Sequence, residues 1–405
     1  MVGIKGEPTS TQDGNGGLQL SLGYLVALQA GFLTMNLAPV ITLVIGGLGI
    51  DRSAAGTILV AGVLSHTLVQ PMAGQVVDSL GTKRALALGA VVGAASCLLT
   101  AVAFSFEGLI LARLLTGVSS GIAFIAGLSF VSNLSVSTPA VRQGVFGAFN
   151  HLGIMIAMFS VAALVVFAGW APAFVIMAAA LLAVALVLMI FMKDPVYGTI
   201  RPALGWRELA ADDRLRSLAL AHTLGYGVYM TVIPWTVDYL VTTFGGDLAS
   251  VAFLSTAITI GALLARVSGG YSARIWGEGR VVSLSLAGTF LLTGALGISH
   301  WMWLSILALV GLGITCNLPF GSIFSLANSE FGKGLAGRAM SLVSLSANTG
   351  ALLLPLMVGQ IATASGGFAP SFAALAAIEL LVTIYILYSP KRRGVILRRA
   401  PGPRP

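Results

Sequence analysis

Residues 74–84 read GQVVDSLGTKR, a polar, glycine-punctuated stretch between two apolar runs, AAGTILVAGVLSHTLVQPMA before it and ALALGAVVGAASCLLTAVAF after it. At about 1.5 Å of rise per helical residue, either run reaches across roughly 30 Å of hydrocarbon. The stretch is therefore expected to turn the chain at a membrane face. Gly74 and Gly81 punctuate the turn, Asp78 supplies a carboxylate, and Lys83 with Arg84 opens the next run with positive charge. Together they form a compact polar latch at the membrane face.

Working outward, the same pattern recurs 196 residues later: Gly74 maps to Gly270, Asp78 to Arg274, Gly81 to Gly277 and Arg84 to Arg280, while Arg142 in a second basic loop maps to Arg338. Two copies of one design are implied, a hallmark of transport folds. Arginine replaces aspartate in the second copy, so the acidic member of the latch occurs once.

Composition points the same way. The chain has 405 residues, 57% of them hydrophobic and 9% charged, with a mean hydropathy of +0.95. Soluble domains do not reach such values, and a polytopic membrane protein is expected. The net charge of +8 would suit a nucleic-acid binder if the bases were clustered on a folded domain. They are instead distributed by topology. Of the 22 Lys and Arg, all but Arg52, Arg113 and Arg266 fall in the tails or in alternate loops, a positive-inside signal that argues against a nucleic-acid partner. Cys97 and Cys316 lie in apolar runs as packing residues. No phosphate loop, HExxH, CxxC or serine-hydrolase constellation occurs, so neither an enzyme nor a cofactor is expected.

The pattern GxxxDxxGxK plus a second base in residues 74–84, with Arg113, Gly117 and Gly121 spaced as RxxxGxxxG in LARLLTGVSSG, resembles the two signatures of the major facilitator superfamily. The resemblance implies an all-α polytopic fold of twelve transmembrane helices in two pseudo-symmetric six-helix bundles, with a gating role for Gly74, Asp78, Gly81, Lys83, Arg84 and the second-half Arg274. On that scheme residues 1–17 are a disordered tail, 18–191 the first bundle, 192–216 a cytoplasmic linker, 217–388 the second bundle and 389–405 a basic cytoplasmic tail. The spans fall near 20–45 (kinked at Pro39), 54–73, 84–104, 107–131, 143–167, 170–191, 217–241, 250–272, 281–298, 301–325, 339–362 and 370–388. The linker sequence WRELAADDRLR reads as one short interfacial helix with Trp206, Leu209 and Leu215 on its less polar side. Base counts place both termini in the cytoplasm and the protein in the cytoplasmic (inner) membrane, as a monomer whose basic tail lies on anionic lipid.

Candidate site residues follow from charge. The spans hold almost no central carboxylate but two arginines, Arg113 and Arg266, and an arginine inside a span is costly unless it faces protein, water or substrate. Snorkelling to the interface is the alternative for Arg113. Tyr226 and Tyr229 lie well inside span 7, on one face with His222, and suit a cavity lining. LARVSGGYSARIWGEGR further resembles span 8 and the following loop of nitrate/nitrite porters and related small-anion carriers, with Arg266 on the family's substrate-binding arginine. Gln70 stands where those porters carry a second arginine, and GVFGAFNHLG in span 5 matches their signature in part. The expectation is a secondary active transporter moving a small inorganic or organic anion by alternating access. Substrate would be held by Arg266, with Arg113, Gln70, Tyr226, Tyr229, Asn150 and Asn317 contributing. His151 and His222 are either protonation sites or neutral, hydrogen-bonded side chains; the coupling ion is a proton or an exchanged anion. A drug or metabolite exporter of the same fold, disfavoured by the missing span 5 proline pattern of drug/proton antiporters, and a non-transporting scaffold or receptor remain open.

Overall fold

Single glycines do the turning that the sequence assigns to longer loops. A computed structural model describes residues 16–50, 52–103, 105–134, 139–194, 205–245 and 248–388. The expected tails 1–17 and 389–405 fall almost wholly outside these residues, as does linker segment 195–204. The first six spans are α1 (Gly16–Met35), α2 (Arg52–Leu80), α3 (Thr82–Val102), α4 (Phe106–Asn133), α5 (Pro139–Ala168) and α6 (Trp170–Phe191). The seventh, α7, joins Asp213–His222, a π turn Thr223–Gly227 and Val228–Phe244. Then come α8 (Leu248–Trp276) and α9 (Glu278–Ile298), α10 (Met302–Gly332) and α11 (Leu335–Ser365), and α12 (Ala369–Tyr388). Ten of these are apolar and long enough to cross a membrane on composition alone. The other two are α7, interrupted by its π turn, and α8, the side chains of whose first ten residues lie outside the described residues.

Residues 74–80 are helical, which corrects the expectation of a turn over 74–84. Nothing before Gly81 breaks the helix, and α2 runs to Leu80 before Gly81, at φ +81°, reverses the chain into Thr82. Gly277 repeats this at φ +88°. A positive φ costs an L-residue its Cβ clearance, which glycine lacks. The repeat is also exact in helix length, since α2 and α8 each have 29 residues and α3 and α9 each have 21.

Three further boundaries differ from expectation. α1 ends at Met35, four residues before Pro39, which lies in a 3-10 turn Ala38–Val40 leading to a short helix Ile41–Leu48; the ring of a proline disfavours helical geometry in the residues just before it. The linker helix is split, because Asp212 adopts ψ 123° and caps α7 by accepting from the Arg214 N–H. The Arg214 hydrogen bonds hold its carboxyl below the usual carboxylate range. Leu209 and Leu215 are buried in the protein core and do not face lipid. Between α10 and α11 the expected loop is a kink at Gly332, φ +65°, with helix on both sides.

The apolar clusters divide by depth. One cluster draws on both sets of six helices, with Leu22 and Val26 of α1, Phe146 of α5, Phe320 and Phe324 of α10 and Val343 of α11. It lies toward the face bearing the linker, here the linker face. Toward the opposite, far face the clusters separate, one within α7–α12 around Tyr239 and Phe372 and one within the first six helices around Leu33 and Phe174. The two sets therefore meet on the linker face. Outward-facing apolar side chains such as Phe167 at 92% and Leu291 at 65% exposure suit a lipid surround.

The latch region gains a member. The Lys83 backbone N–H donates to Asp194 Oδ1 at 2.8 Å, so a carboxylate just past α6 caps α3. A Cβ on Gly81 would lie 3.1 Å from Asp194 Oδ2, whereas none is crowded at Gly74. The Asp78 side chain lies outside the described residues. Replacing Gly81 with alanine should lower the thermal stability of the purified protein by about 1–2 kcal/mol through its positive φ, and by more when Asp194 is present than in an Asp194→Ala background, where the contact is gone; equal melting shifts in the two backgrounds would remove the Asp194 contribution.

Candidate functional site

Arg266 lies ten residues before the end of α8, about 15 Å from the linker-face turn and hence near mid-membrane. It is 2% exposed. Its Nε donates to Asn317 Oδ1 of α10 at 3.0 Å, and the Asn317 amide donates in turn to the Gly313 carbonyl at 2.9 Å. The guanidinium carbon sits 4.1 Å from the centre of the Phe320 ring, a cation–π contact. A Cβ on Gly147 of α5 would come within 2.9 Å of Nη1, so only glycine leaves room for the group. Among the described residues neither Nη group has a protein acceptor, and the ion pairs join only Arg214 or Arg216 to Asp212, Asp213 and Glu330. One edge of the arginine is fixed and the other retains its paired donors.

Aromatic and imidazole groups lie in the neighbourhood of the arginine. His151 of α5 stands 6.1 Å, ring to ring, from Tyr229 of α7. His222 is 5.9 Å from Tyr226, 5.8 Å from Phe320 and 5.0 Å from Phe324. All four of His151, His222, Tyr226 and Tyr229 are within electrostatic reach of Arg266. The π turn Thr223–Gly227 inserts between His222 and Tyr229, so the expected single face is split, with Tyr226 beside His222 and Tyr229 beside His151. Such turns locally widen a helix and cluster at functional positions.

Gln70 occupies the position in α2 that Arg266 holds in α8. It is fully buried. Its side-chain nitrogen lies 2.8 Å from His66 Nε2, His66 Nδ1 lies 2.8 Å from Ser120 Oγ, and Asn348 of α11 donates to Gln70 Oε1 at 3.3 Å. This Ser120–His66–Gln70–Asn348 chain crosses from α4 through α2 to α11. Asn348 and Phe320 are neighbours of the site that sequence reasoning gave no role, and His66, which the fold was expected to be able to bring toward the same central volume as His151 and His222, lies beside Gln70; the signal available for Asn348 was a polar side chain inside an apolar run.

The other expected contributors are engaged elsewhere. Asn150 donates to the Ala27 carbonyl of α1 at 3.3 Å. Arg113, also 2% exposed, spends its terminal nitrogens on the broken end of α1: Nη1 donates to Asn36 Oδ1 at 2.8 Å and to the Leu33 carbonyl at 3.3 Å, and Nη2 to the Thr34 carbonyl at 2.9 Å. It packs on Gly62, eight residues from Gln70 along α2, or about 12 Å toward the far face. Arg84 and Arg274 are exposed at the linker face. A groove of about 560 Å³ between α7 and α11, lined by Pro234, Trp235, Pro355, Leu356 and Gly359 among others, contains none of the residues grouped around Arg266. Asn36→Ala should destabilise the protein by about 1.5–3 kcal/mol, the value of a hydrogen bond to a charged group, while leaving ligand affinity unchanged. A loss of affinity with no change in melting temperature would instead place Arg113 at the ligand.

The chain is 27% identical over 402 residues to a hexuronate transporter of Escherichia coli (strain K12), covering 90% of this chain and 92% of that one. It is 25% identical over 319 residues to a "Probable nitrate/nitrite transporter" of Mycobacterium tuberculosis, covering 76% and 80%. The crystal structure of the E. coli fucose:proton symporter superposes with a TM-score of 0.74 at 16% identity, covering 91% of this chain and 98% of that one, a likeness of fold. The Major Facilitator Superfamily model matches residues 23–337 and 217–404. This multi-pass membrane protein belongs to the Major Facilitator Superfamily.

Proposed function

We propose that the chain is a secondary active transporter of a small monovalent organic anion, a carboxylate bearing hydroxyl groups, of which hexuronates are the first to test. The observation that carries this is Arg266: buried near mid-membrane, without a counter-ion among the described residues, and fixed by Asn317 and Phe320 with its paired Nη donors unused. A planar fork matches a carboxylate in two parallel hydrogen bonds. A single arginine opposite Gln70 favours one negative charge. The amide pair Gln70–Asn348 and the hydroxyls of Tyr226 and Tyr229 suit the neutral hydroxyl groups of a sugar acid better than they suit nitrate. The relatives named for hexuronate and for nitrate/nitrite support an anion as the cargo.

In this reading the linker face is cytoplasmic, since the basic loops gather there, and the protein sits in the cytoplasmic membrane with both termini inside. The six-helix halves 18–191 and 217–388 rock about the site. With one apolar cluster shared on the linker face and separate clusters on the far face, the structure corresponds to a state closed to the cytoplasm. Glycines at Gly144 and Gly270 bring α5 and α8 into backbone contact there; a Cβ on Gly270 would lie 2.6 Å from Val141 Cα. A proton is the coupling ion in this scheme, and a monomer suffices.

In proteoliposome counterflow with labelled galacturonate, Arg266→Ala should weaken affinity by about 100-fold or more, the loss of two charge-assisted hydrogen bonds. Arg266→Lys should weaken it by about 10-fold although charge is kept, and Gln70→Arg should shift preference toward dianions. Parental affinity in both Arg266 variants of correctly folded protein would refute the site. Ala140 of α5 and Ala273 of α8 share a buried cluster at the closed face. A double cysteine variant at these two positions should cross-link on oxidation and stop counterflow, with recovery on reduction; undiminished flux in the cross-linked protein would exclude rocking about this contact.

A further inference from the structure

The helices α9, α10 and α12 enclose a polar column that the anion site does not use. Glu379 lies ten residues into the 20-residue α12, about 15 Å from either end, and is 1% exposed. Thr293 of α9 donates to its Oε1 at 3.0 Å, while its Oε2 has no partner. One turn along α12 the buried Thr383 Oγ1 is also without a partner. Toward the linker face α9 carries Thr289, which contacts Thr315 Oγ1 at 3.2 Å and Cys316 Sγ at 3.7 Å, then Ser285, and finally Glu278, which accepts from Ser325 of α10. Ser285 and Ser322 are fully enclosed hydroxyls without partners. Nine enclosed side-chain polar atoms lack partners among the described residues, and four of them, on Ser285, Ser322, Glu379 and Thr383, belong to this column.

Such atoms are stable in a membrane interior only if water reaches them or a proton neutralises them. The internal repeat supplies a control. The positions of α3 that correspond to Ser285, Thr289 and Thr293 at the 196-residue offset are Gly89, Gly93 and Cys97. The buried hydroxyls between α3 and α4, on Ser96, Thr100, Thr116 and Ser119, stand at other positions and each has a hydrogen-bond partner, so packing at the ladder positions does not itself demand hydroxyls.

We infer that Glu379 is a proton-binding site, reached from the linker face through water held by the hydroxyl ladder Glu278–Ser285–Thr289–Thr293. In the protonated state the carboxylic acid is neutral, with Thr293 donating to Oε1 and the Oε2 hydroxyl donating to water. On release the proton leaves Oε2 to that water and passes along the ladder, and the carboxylate remains with the Thr293 hydroxyl as donor. A metal ion fits poorly, because α9 and α12 are unbroken helices whose carbonyls are spent internally, leaving too few oxygen ligands. Other titratable or charged groups on the elements packed around α12 are Glu278, Arg280, Cys316, Glu330, Arg338, Asp213, Arg214, Arg216, His222, Tyr226, Tyr229, Asp238 and Tyr239, the last against Phe372 of α12, with Tyr385 and Tyr388 on α12 itself. Of these, the Cys316 thiol is within electrostatic reach of the carboxyl. Cys316 precedes Asn317, the residue that holds Arg266, so α10 links the proton site to the anion site.

The use of this proton to drive uptake rests on the transport reading; its binding does not. Infrared difference spectra of purified protein, taken without substrate as buffer pH is stepped, should contain a carboxylic C=O band that titrates and is lost in Glu379→Gln. Thr289→Val and Ser285→Ala should keep the band and slow its response to a pH jump by about 10-fold or more, as expected when a relay position is removed. In counterflow, Glu379→Gln should retain exchange of labelled galacturonate and lose accumulation driven by a pH gradient. No band assignable to Glu379 at any pH overturns the site, and its displacement by sodium at constant pH overturns the assignment to a proton. If Glu379→Gln fails to fold, an unchanged pH-jump rate in both ladder variants overturns the path.

Discussion

An arginine held in a membrane interior must be satisfied by something, and how each of two such arginines is satisfied organises this protein. Desolvating a guanidinium costs several kcal/mol unless donors find acceptors. Arg113 finds them in the carbonyls exposed where α1 breaks, and so pins α1 to α4. Arg266 finds only Asn317 and the face of Phe320. Two residues of the same type, burial and charge therefore differ in what they can still bind: both terminal nitrogens of Arg113 are engaged at the end of α1, although its Nε has no partner, whereas those of Arg266 have no acceptor among the described residues.

The linker-face contacts follow from the same need for exclusion. A guanidinium with unused donors is tolerated only where bulk lipid cannot reach it, and α5 must press against α8 and α10 to achieve this. Gly144 and Gly147 permit that approach, one against the Arg266 backbone and one against its side chain. The apolar cluster shared between the halves sits directly below. Closure of this face and shielding of the charge are one packing event.

The repeat, the twelve spans and the pairing of Gln70 with Arg266 were legible in the sequence because each depends on local pattern or on a fixed offset. The turns at Gly81 and Gly277 were legible in place but not in length, since a helix runs up to a glycine turn when no earlier residue stops it. What could not be read depends on distant approach. Asp194 caps α3 from 111 positions away, Asn348 meets Gln70 across 278, and neither spacing leaves a trace in the chain. The partners of Arg113 were hidden for another reason: they are exposed only because α1 breaks before Pro39, whereas the sequence put the bend at Pro39 itself. The common face of His222, Tyr226 and Tyr229 assumed a uniform helical period that the π turn interrupts.

That π turn has a consequence for chain length. Thr223–Gly227 holds one residue more than an α-helical turn would, so deleting any one of its five positions would let α7 close into a regular helix. The five residues of the π turn advance the helix by about as much as four α-helical residues would, so after such a deletion the segment beyond would keep its orientation, with Tyr229 still beside His151 and Trp235 still donating to the Pro355 carbonyl. Drawing all five residues into regular α-helix would instead rotate everything beyond by about 100° relative to His222. The segment should accordingly accept the loss of one residue more readily than a change that forces its full length into α-helical hydrogen bonding.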